Sequence, residues 1–159
     1  MNIFSKEMLF ASGDSKKVFI PPNTRPNLTS SGTLGGDEFA VSAGDNAEDA
    51  YKAVDSRTST YYTSSTSTAS MPVWYYIYNP KPLNITQIKM TFKSSYPGTL
   101  KKVVGSKNNS KYTEIDMGYD SSSGALILNH NQYYKYYGLS ILKKNFRLTD
   151  IRITATEQG

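Results

Sequence analysis

The sequence predicts an all-β protein, and three observations lead to that prediction. Hydrophobic and polar residues alternate in short segments such as residues 88–92 and 151–155. Clusters of Ser, Gly, Asn and Pro separate these segments, and no long segment has the spacing of an amphipathic helix. Because successive side chains of a strand point to opposite faces, short strands at this spacing predict an antiparallel β-sandwich or barrel.

The chain begins with a stretch that shows no regular pattern. Prolines and a glycine-rich segment at residues 32–36 interrupt every periodic run in it. We therefore expect an irregular N-terminal arm or lead-in at residues 1–37 and one sandwich domain at residues 38–159. Helical spacing is found only at residues 46–54, enough for one or two turns.

Beyond the lead-in, the alternation predicts which side chains are buried. Strands are expected at residues 73–78, 88–92, 125–128 and 151–155, with a further inward row near residue 139. The side chains that this pattern places inside are Ile88, Met90, Phe92, Leu139, Ile141, Ile151 and Ile153.

Composition excludes several classes of protein. The chain has 159 residues, no cysteine and a net charge of +5, so disulfide frameworks and thiolate sites are excluded. No apolar run approaches the roughly 20 residues that span a bilayer, and the first residues lack the features of a signal peptide. The modest positive charge favours solubility, or binding to an acidic surface.

Catalysis and nucleic-acid binding have little support in the sequence. The single histidine, His130, lies in a polar run with no nucleophile motif around it. No glycine-rich phosphate loop follows a strand and opens a helix. Aromatic and basic residues mix at residues 133–144, as in single-strand binders, but the alternation assigns several of them to a buried face. We expect no enzyme activity and no nucleic-acid partner.

One segment carries a family resemblance. Residues 55–62 resemble the Asp-Gly-x-x-x-Thr-x-Trp signature of discoidin domains, also called coagulation factor 5/8 type C or galactose-binding-like domains. Asp55 and Thr60 match the signature, whereas Ser56 stands for its glycine and Tyr62 for its tryptophan.

Further segments follow in the order of that family. Residues 106–115 are similar to its Ser-x-Asp-Gly-x-x-Trp-Thr-x-Leu hairpin, and residues 133–139 to its Tyr-Arg-Tyr-x-Arg-Leu strand. Residues 151–157 resemble its closing strand. The resemblance implies an antiparallel β-sandwich of jelly-roll type whose loops at one end bind a ligand.

A narrower resemblance concerns biological context. Residues 26–30, 40–43 and 50–55 look like the lead-in of discoidin-like modules in tailed-bacteriophage structural proteins. It implies a virion tail or appendage protein that binds host-surface polysaccharide, contacts other virion proteins and forms homo-oligomers. Two alternatives stay open: a purely architectural virion protein, and a carbohydrate-binding module at a bacterial surface. No membrane insertion is expected.

Sugar sites combine flat aromatic faces with a few polar groups that fix orientation. The usual galactose-binding constellation is absent, since Thr63 replaces its histidine and Gly98 its arginine. The side chains expected to bind a ligand are Arg57, Tyr61, Tyr62, Lys93, Tyr96, Asn129 and His130.

The resemblance also implies a structural calcium ion. Related carbohydrate-binding modules hold calcium at positions that correspond to Asp55, Thr60 and Glu157, and oxygen side chains are the ligands that calcium prefers. The alternative is that Asp55 only caps its own turn. No organic cofactor is expected.

Overall fold

A computed structural model describes residues 15–20, 30–65, 71–142 and 145–158, the first of these stretches as backbone only. Every strand pairing in these residues is antiparallel, which confirms the predicted all-β class. None of their helices is long and apolar enough to cross a membrane. The strands are β1 (Ser15–Ile20), β2 (Ala40–Ala43), β3 (Val73–Phe92), β4 (Thr99–Ser106), β5 (Thr113–Asp120), β6 (Ala125–Asn129), β7 (Tyr134–Leu142) and β8 (Leu148–Gln158).

The long strand β3 joins the two layers of the sandwich. Its first half pairs with β2 and β7, and its second half pairs with β8 and β6. The register with β7 shifts between Tyr78 and Leu83, where Pro80 and Pro82 have no N–H to donate to a ladder. The sequence predicted separate strands on either side of these prolines, but the chain stays extended through them and only changes partners.

The sheet closes on itself. The strand order is β1-β8-β3-β6-β5-β4-β7, and an additional pairing between β3 and β7 completes the circuit. Closure leaves few free strand edges, and β1 and β8 extend one layer outward from β3. This arrangement is the jelly-roll sandwich that the sequence predicted.

The core includes the side chains that the alternation placed inside. Ile88, Leu139, Ile141, Ile151 and Ile153 are at most 1% exposed. Met90 and Phe92 are partly buried and pack against this cluster. The period-two prediction of the buried face is therefore confirmed.

Part of the N-terminal lead-in differs from expectation. Residues 15–20 form β1, which pairs with β8 from Ser15 opposite Gln158 to Ile20 opposite Ile153. A strand at the edge of a sheet needs no alternating pattern of its own, so β1 could not be predicted from hydrophobic periodicity. The rest of the predicted arm up to residue 29 lies outside the described residues. The predicted helical segment forms a 3₁₀ helix at Ala47–Ala53.

Candidate functional site

Three loops lie together at one end of the sandwich, which we call the loop end. They are residues 61–65, residues 93–98 and residues 145–147. The last two are neighbours because β8 runs antiparallel to β3, so that the start of β8 lies beside the end of β3. Residues 61–65 join them through a single bridge between Tyr62 and Leu148.

Backbone hydrogen bonds fix the loops to one another. The amides of Tyr62 and Leu148 each donate to the other residue's carbonyl at 2.9 Å. The amide of Lys93 donates to the carbonyl of Arg147 at 2.8 Å, and the amide of Arg147 donates to the carbonyl of Tyr96 at 3.0 Å. Because these bonds fix the backbone of the loops, their side chains lose less freedom when a ligand binds.

An arginine held against two tyrosines is the main feature of the loop end. The guanidinium carbon of Arg147 lies 3.9 Å from the centre of the Tyr96 ring and 4.8 Å from the centre of the Tyr61 ring. Both distances are within the range of cation–π contact. Tyr96 is 37% exposed, and the exposed Lys93 accepts a hydrogen bond at its carbonyl from the amide of Tyr96. We call Tyr61, Lys93, Tyr96 and Arg147 the loop-end cluster.

The guanidinium of Arg147 retains donors for a ligand. In the described part of the chain, no carboxylate lies within ion-pair distance of it. A guanidinium carries five N–H donors in one rigid plane and stacks on aromatic faces. The cluster thus offers aromatic surface together with positively charged donors to hydroxyl or carboxylate oxygens.

Tyr62 packs in the core next to these loops and is not part of the loop-end cluster. Its ring is fully buried, 5.4 Å from the ring of Tyr75 and 5.8 Å from that of Phe146. Burial, aided by the charge of Asp45, raises the pKa of Tyr62. The hydroxyl stays protonated and donates to the carbonyl of Asp45 at 2.5 Å. The prediction that Tyr62 contacts a ligand is therefore wrong, because the ring belongs to the core.

Gly98 allows the loops to approach closely. A Cβ atom at this position would lie 2.7 Å from the ring of Phe92 and 3.1 Å from the Cβ of Phe146. These two rings meet edge to face at 5.8 Å. Only glycine lets the turn after β3 close over this aromatic pair, which brings Tyr96 next to Arg147.

Arg57 lies on an exposed turn that leads into Tyr61. Its amide donates to Oδ1 of Asp55 at 3.0 Å, and the hydroxyl of Thr60 donates to Oδ2 of Asp55 at 2.6 Å. Ser56 has a φ of 61°, so a non-glycine residue adopts the left-handed conformation that the family signature assigns to glycine. Arg57 is exposed, and its connection to the loop-end cluster is the chain segment that leads from it to Tyr61.

Of the three residues expected to hold calcium, Asp55 and Thr60 are in contact, but Glu157 does not join them. Both carboxylate oxygens of the buried Asp55 already accept hydrogen bonds, one of them from Thr60. Glu157 lies nine positions beyond Leu148 along β8, or roughly 30 Å at the rise of a strand. Within the described residues, no group of three acidic, His or Cys side chains is placed to bind a metal. The predicted set therefore does not fit one ion.

Asn129 and His130 lie at the opposite end of the sandwich. The Nε2 atom of His130 is 2.9 Å from the carbonyl of Ile85, whereas the loop end follows Phe92, seven positions further along β3. The ring of His130 stacks on that of Tyr134, and Asn129 is exposed near Asp116. The single site that the sequence predicted from these residues together with Tyr61 and Tyr96 is not formed.

Arg147 is the member of the loop-end cluster that the sequence prediction did not include. Its signal was positional: it immediately precedes the alternating segment of the closing strand. Antiparallel pairing of that strand with residues 88–92 places Arg147 next to Lys93. No local sequence pattern predicts this pairing, so the sequence alone does not indicate the position of Arg147.

No known family model matches the sequence, and no curated protein is similar to it. Solved structures do match the fold. A CBM32 module from Clostridium perfringens has a TM-score of 0.58 at 17% identity, covering 75% of this chain and 94% of its own. The C-terminal domain of a chitobiase from Bacteroides fragilis has a TM-score of 0.58 at 14% identity, covering 79% and 99%.

A third similar structure was solved with a sugar. The family 32 carbohydrate-binding module of NanJ from C. perfringens, in complex with galactose, has a TM-score of 0.54 at 14% identity and covers 73% of this chain and 93% of its own. The chain therefore has the discoidin, or galactose-binding-like, fold of these CBM32 modules.

Proposed function

We propose that this protein is a non-catalytic carbohydrate-recognition module that binds its ligand at the loop end. The observation that carries the proposal is Arg147, held against the rings of Tyr61 and Tyr96 on loops that the backbone fixes in place. Aromatic surface packs on the apolar face of a sugar ring, and the guanidinium donates to its hydroxyls. Similar structures named as carbohydrate-binding modules support the proposal.

The interpretation as a binding module, and not an enzyme, follows from the side chains present. His130 stacks on Tyr134 and contacts a backbone carbonyl at the opposite end from the loop-end cluster. The cluster itself contains two tyrosines, a lysine and an arginine, and no carboxylate to act as general acid or base. Binding is the chemistry that these groups support.

The binding mode differs from that expected for galactose-binding relatives. Thr63 and Gly98 occupy the positions where the family resemblance implies a histidine and an arginine. Arg147 supplies a guanidinium from the third loop of the same end. We propose that it takes over the polar recognition that those residues provide elsewhere, so that the preferred sugar need not be galactose.

An exposed cluster of this size predicts weak binding per copy. Several copies acting together raise the overall affinity through a high effective concentration, so we propose that the module works in multiple, symmetric copies. The carrier is either a phage particle, as the lead-in resemblance implies, or a bacterial surface protein or glycoside hydrolase. Two of the similar structures, a family 89 glycoside hydrolase and the C-terminal domain of a chitobiase, support the bacterial carrier.

The proposal is tested by glycan-array screening of a multivalent form, followed by calorimetric titration of the best oligosaccharide. We expect Arg147→Ala and Tyr96→Ala to reduce affinity at least about tenfold, since each removes a direct contact. Matched controls are Arg152→Ala, whose side chain is 54% exposed on β8, and Tyr119→Ala, whose residue is 68% exposed. Both controls should bind like the wild type.

The architectural alternative makes the opposite prediction. A protein that only decorates or joins subunits binds no glycan at any valency, and instead binds a purified virion protein. Loss of glycan binding in the control variants as well would also overturn the proposal, because it would place the ligand away from the loop end.

A further inference from the structure

A concave surface lies at the opposite end of the sandwich from the loop-end cluster. It is an open groove of about 290 Å³. Strand β4 runs from the loop end to this groove, and its eight residues span roughly 25 Å. The two surfaces therefore share no residue and are far enough apart to be tested separately. The residues that line the groove, which we call the lysine groove, are Lys107, Asn108, Lys111, Thr113, Gln132 and Tyr134.

The wall of the groove is rigid. The ring of Tyr134 lies across Gly105, where a Cβ atom would be only 2.3 Å from it. On its other side the ring stacks with His130, with the ring planes 10° from parallel, and it also meets Tyr137 edge to face. Tyr134 is 8% exposed, so one edge of a fixed ring borders the groove.

The loop that carries the two lysines is fixed by its own side chains. Oγ of Ser106 accepts hydrogen bonds from the amides of Asn108 and Asn109 at 3.2 and 3.0 Å. Oδ1 of Asn108 accepts from the amides of Ser110 and Lys111 at 2.9 and 3.1 Å. A loop that is ordered before binding loses less entropy when a ligand arrives.

The chemistry of the groove is cationic and polar. In the described part of the chain, neither Lys107 nor Lys111 has a carboxylate within ion-pair distance, and no acidic residue lines the groove. Thr113 and Gln132 add a hydroxyl and an amide, which match sugar hydroxyls. Two ammonium groups that face an open groove without acidic partners match an anion.

From these observations we infer a second binding site, in which the lysine groove takes the negatively charged units of an acidic polysaccharide. Lys107 and Lys111 bind the carboxylate or phosphate by charge-assisted hydrogen bonds. Thr113 and Gln132 contact hydroxyls of the same sugar unit, and the edge of Tyr134 contacts its ring. The site is independent of the proposed function of the loop end.

The test uses the full chain and three polymers: polygalacturonate, its neutral methyl ester, and poly(glycerol phosphate). Binding is measured by biolayer interferometry at low and at physiological salt. We expect one or both acidic polymers to bind, and the methyl ester to bind at least about tenfold more weakly. The two acidic polymers distinguish a carboxylate ligand from a phosphate ligand.

Variants locate the site. Lys107→Ser combined with Lys111→Ser should weaken binding of the acidic polymer at least about tenfold. Lys89→Ser combined with Lys101→Ser removes the same charge from exposed positions on β3 and β4 and should change it less than about twofold.

Three results would overturn the inference. They are failure of both acidic polymers to bind, equal losses in the two double-lysine variants, and tighter binding of a homopolymeric single-stranded RNA that is lost with the groove lysines. The second would indicate attraction by net charge alone, and the third a nucleic-acid site.

Discussion

Arg147 acquires its position from residues that are distant in the sequence. Tyr96 lies about 50 positions before it and Tyr61 lies further still, yet both rings are within cation–π distance. The sequence placed Tyr61, Lys93 and Tyr96 in one site because loops that flank strands at one end carry ligand contacts, and the structure brings these three residues to the same end. It could not indicate the arginine between them, because that contact depends on the pairing of β8 with β3.

The prediction that Tyr62 contacts a ligand relied on residue type alone. A tyrosine in a loop next to another tyrosine has the composition of a sugar platform. The structure instead buries its ring between Tyr75 and Phe146 and satisfies its hydroxyl with the carbonyl of Asp45. Adjacent residues of an extended segment point in opposite directions, so only one of Tyr61 and Tyr62 can face the solvent.

Gly105→Ala should destabilise the protein by roughly 1–3 kcal/mol, the cost of overpacking a filled site. The new methyl group would start 2.3 Å from the ring of Tyr134, which His130 and Tyr137 hold in place. The matched control is Gly118→Ala on β5, where an added Cβ meets no atom within 4 Å. Urea unfolding followed by circular dichroism measures both, and equal stabilities would show that Tyr134 moves aside freely.

At the scale of elements, period-two alternation gave the most accurate predictions. It identified the inward rows of β7, β8 and the second half of β3, because burial on one face makes hydrophobic and polar residues alternate in the sequence. It failed at β1, which lacks the alternation, and between residues 78 and 88, where two separate strands were predicted but β3 continues through Pro80 and Pro82. Those prolines occupy the point where β3 exchanges β7 for β8, so their missing N–H groups interrupt no continuous ladder.

Ile153→Asp tests the inward row of β8. Ile153 is 1% exposed and pairs with Ile20 of β1 and Ile88 of β3. A buried, unpaired carboxylate should cost about 3 kcal/mol or more. Gln87→Asp introduces the same charge at an exposed position of the adjacent strand and should cost less than about 1 kcal/mol. Thermal melting near the wild-type temperature for Ile153→Asp would remove that residue from the core.

At the scale of the whole molecule, the closed sheet separates two binding surfaces. The loop-end cluster lies where β3 ends and β8 begins, and the lysine groove lies where β4 ends. The sequence had placed His130 and Tyr96 in one site, since the sequence pattern does not show which ends of the strands are neighbours. Strand direction decides that question, and it places the residues that follow β6 at the opposite end from those that follow β3.

The direction of β8 also determines how we expect the melting temperature to respond to calcium. An ion held jointly by Asp55, Thr60 and Glu157 would tie the turn before Tyr61 to the C-terminal end of β8. Tyr62, just after that turn, pairs with Leu148 at the start of β8, and Glu157 lies roughly 30 Å from Leu148 along the strand. We therefore expect chelator and millimolar calcium to give the same melting temperature. A saturated site would instead raise it by roughly 5–10 °C.

Asp55→Ala should lower the melting temperature equally with calcium and with chelator. It removes the acceptor of the Arg57 amide and of the Thr60 hydroxyl, and a buried donor left without its acceptor costs about 1–3 kcal/mol. Asp55→Asn retains one acceptor oxygen and should lose less. A calcium-dependent rise in the melting temperature of the wild type that disappears in Asp55→Ala would contradict this expectation. The Asp55 turn would then bind calcium with ligands other than Glu157. Its hydrogen bonds to Arg57 and Thr60 would rearrange when the ion binds.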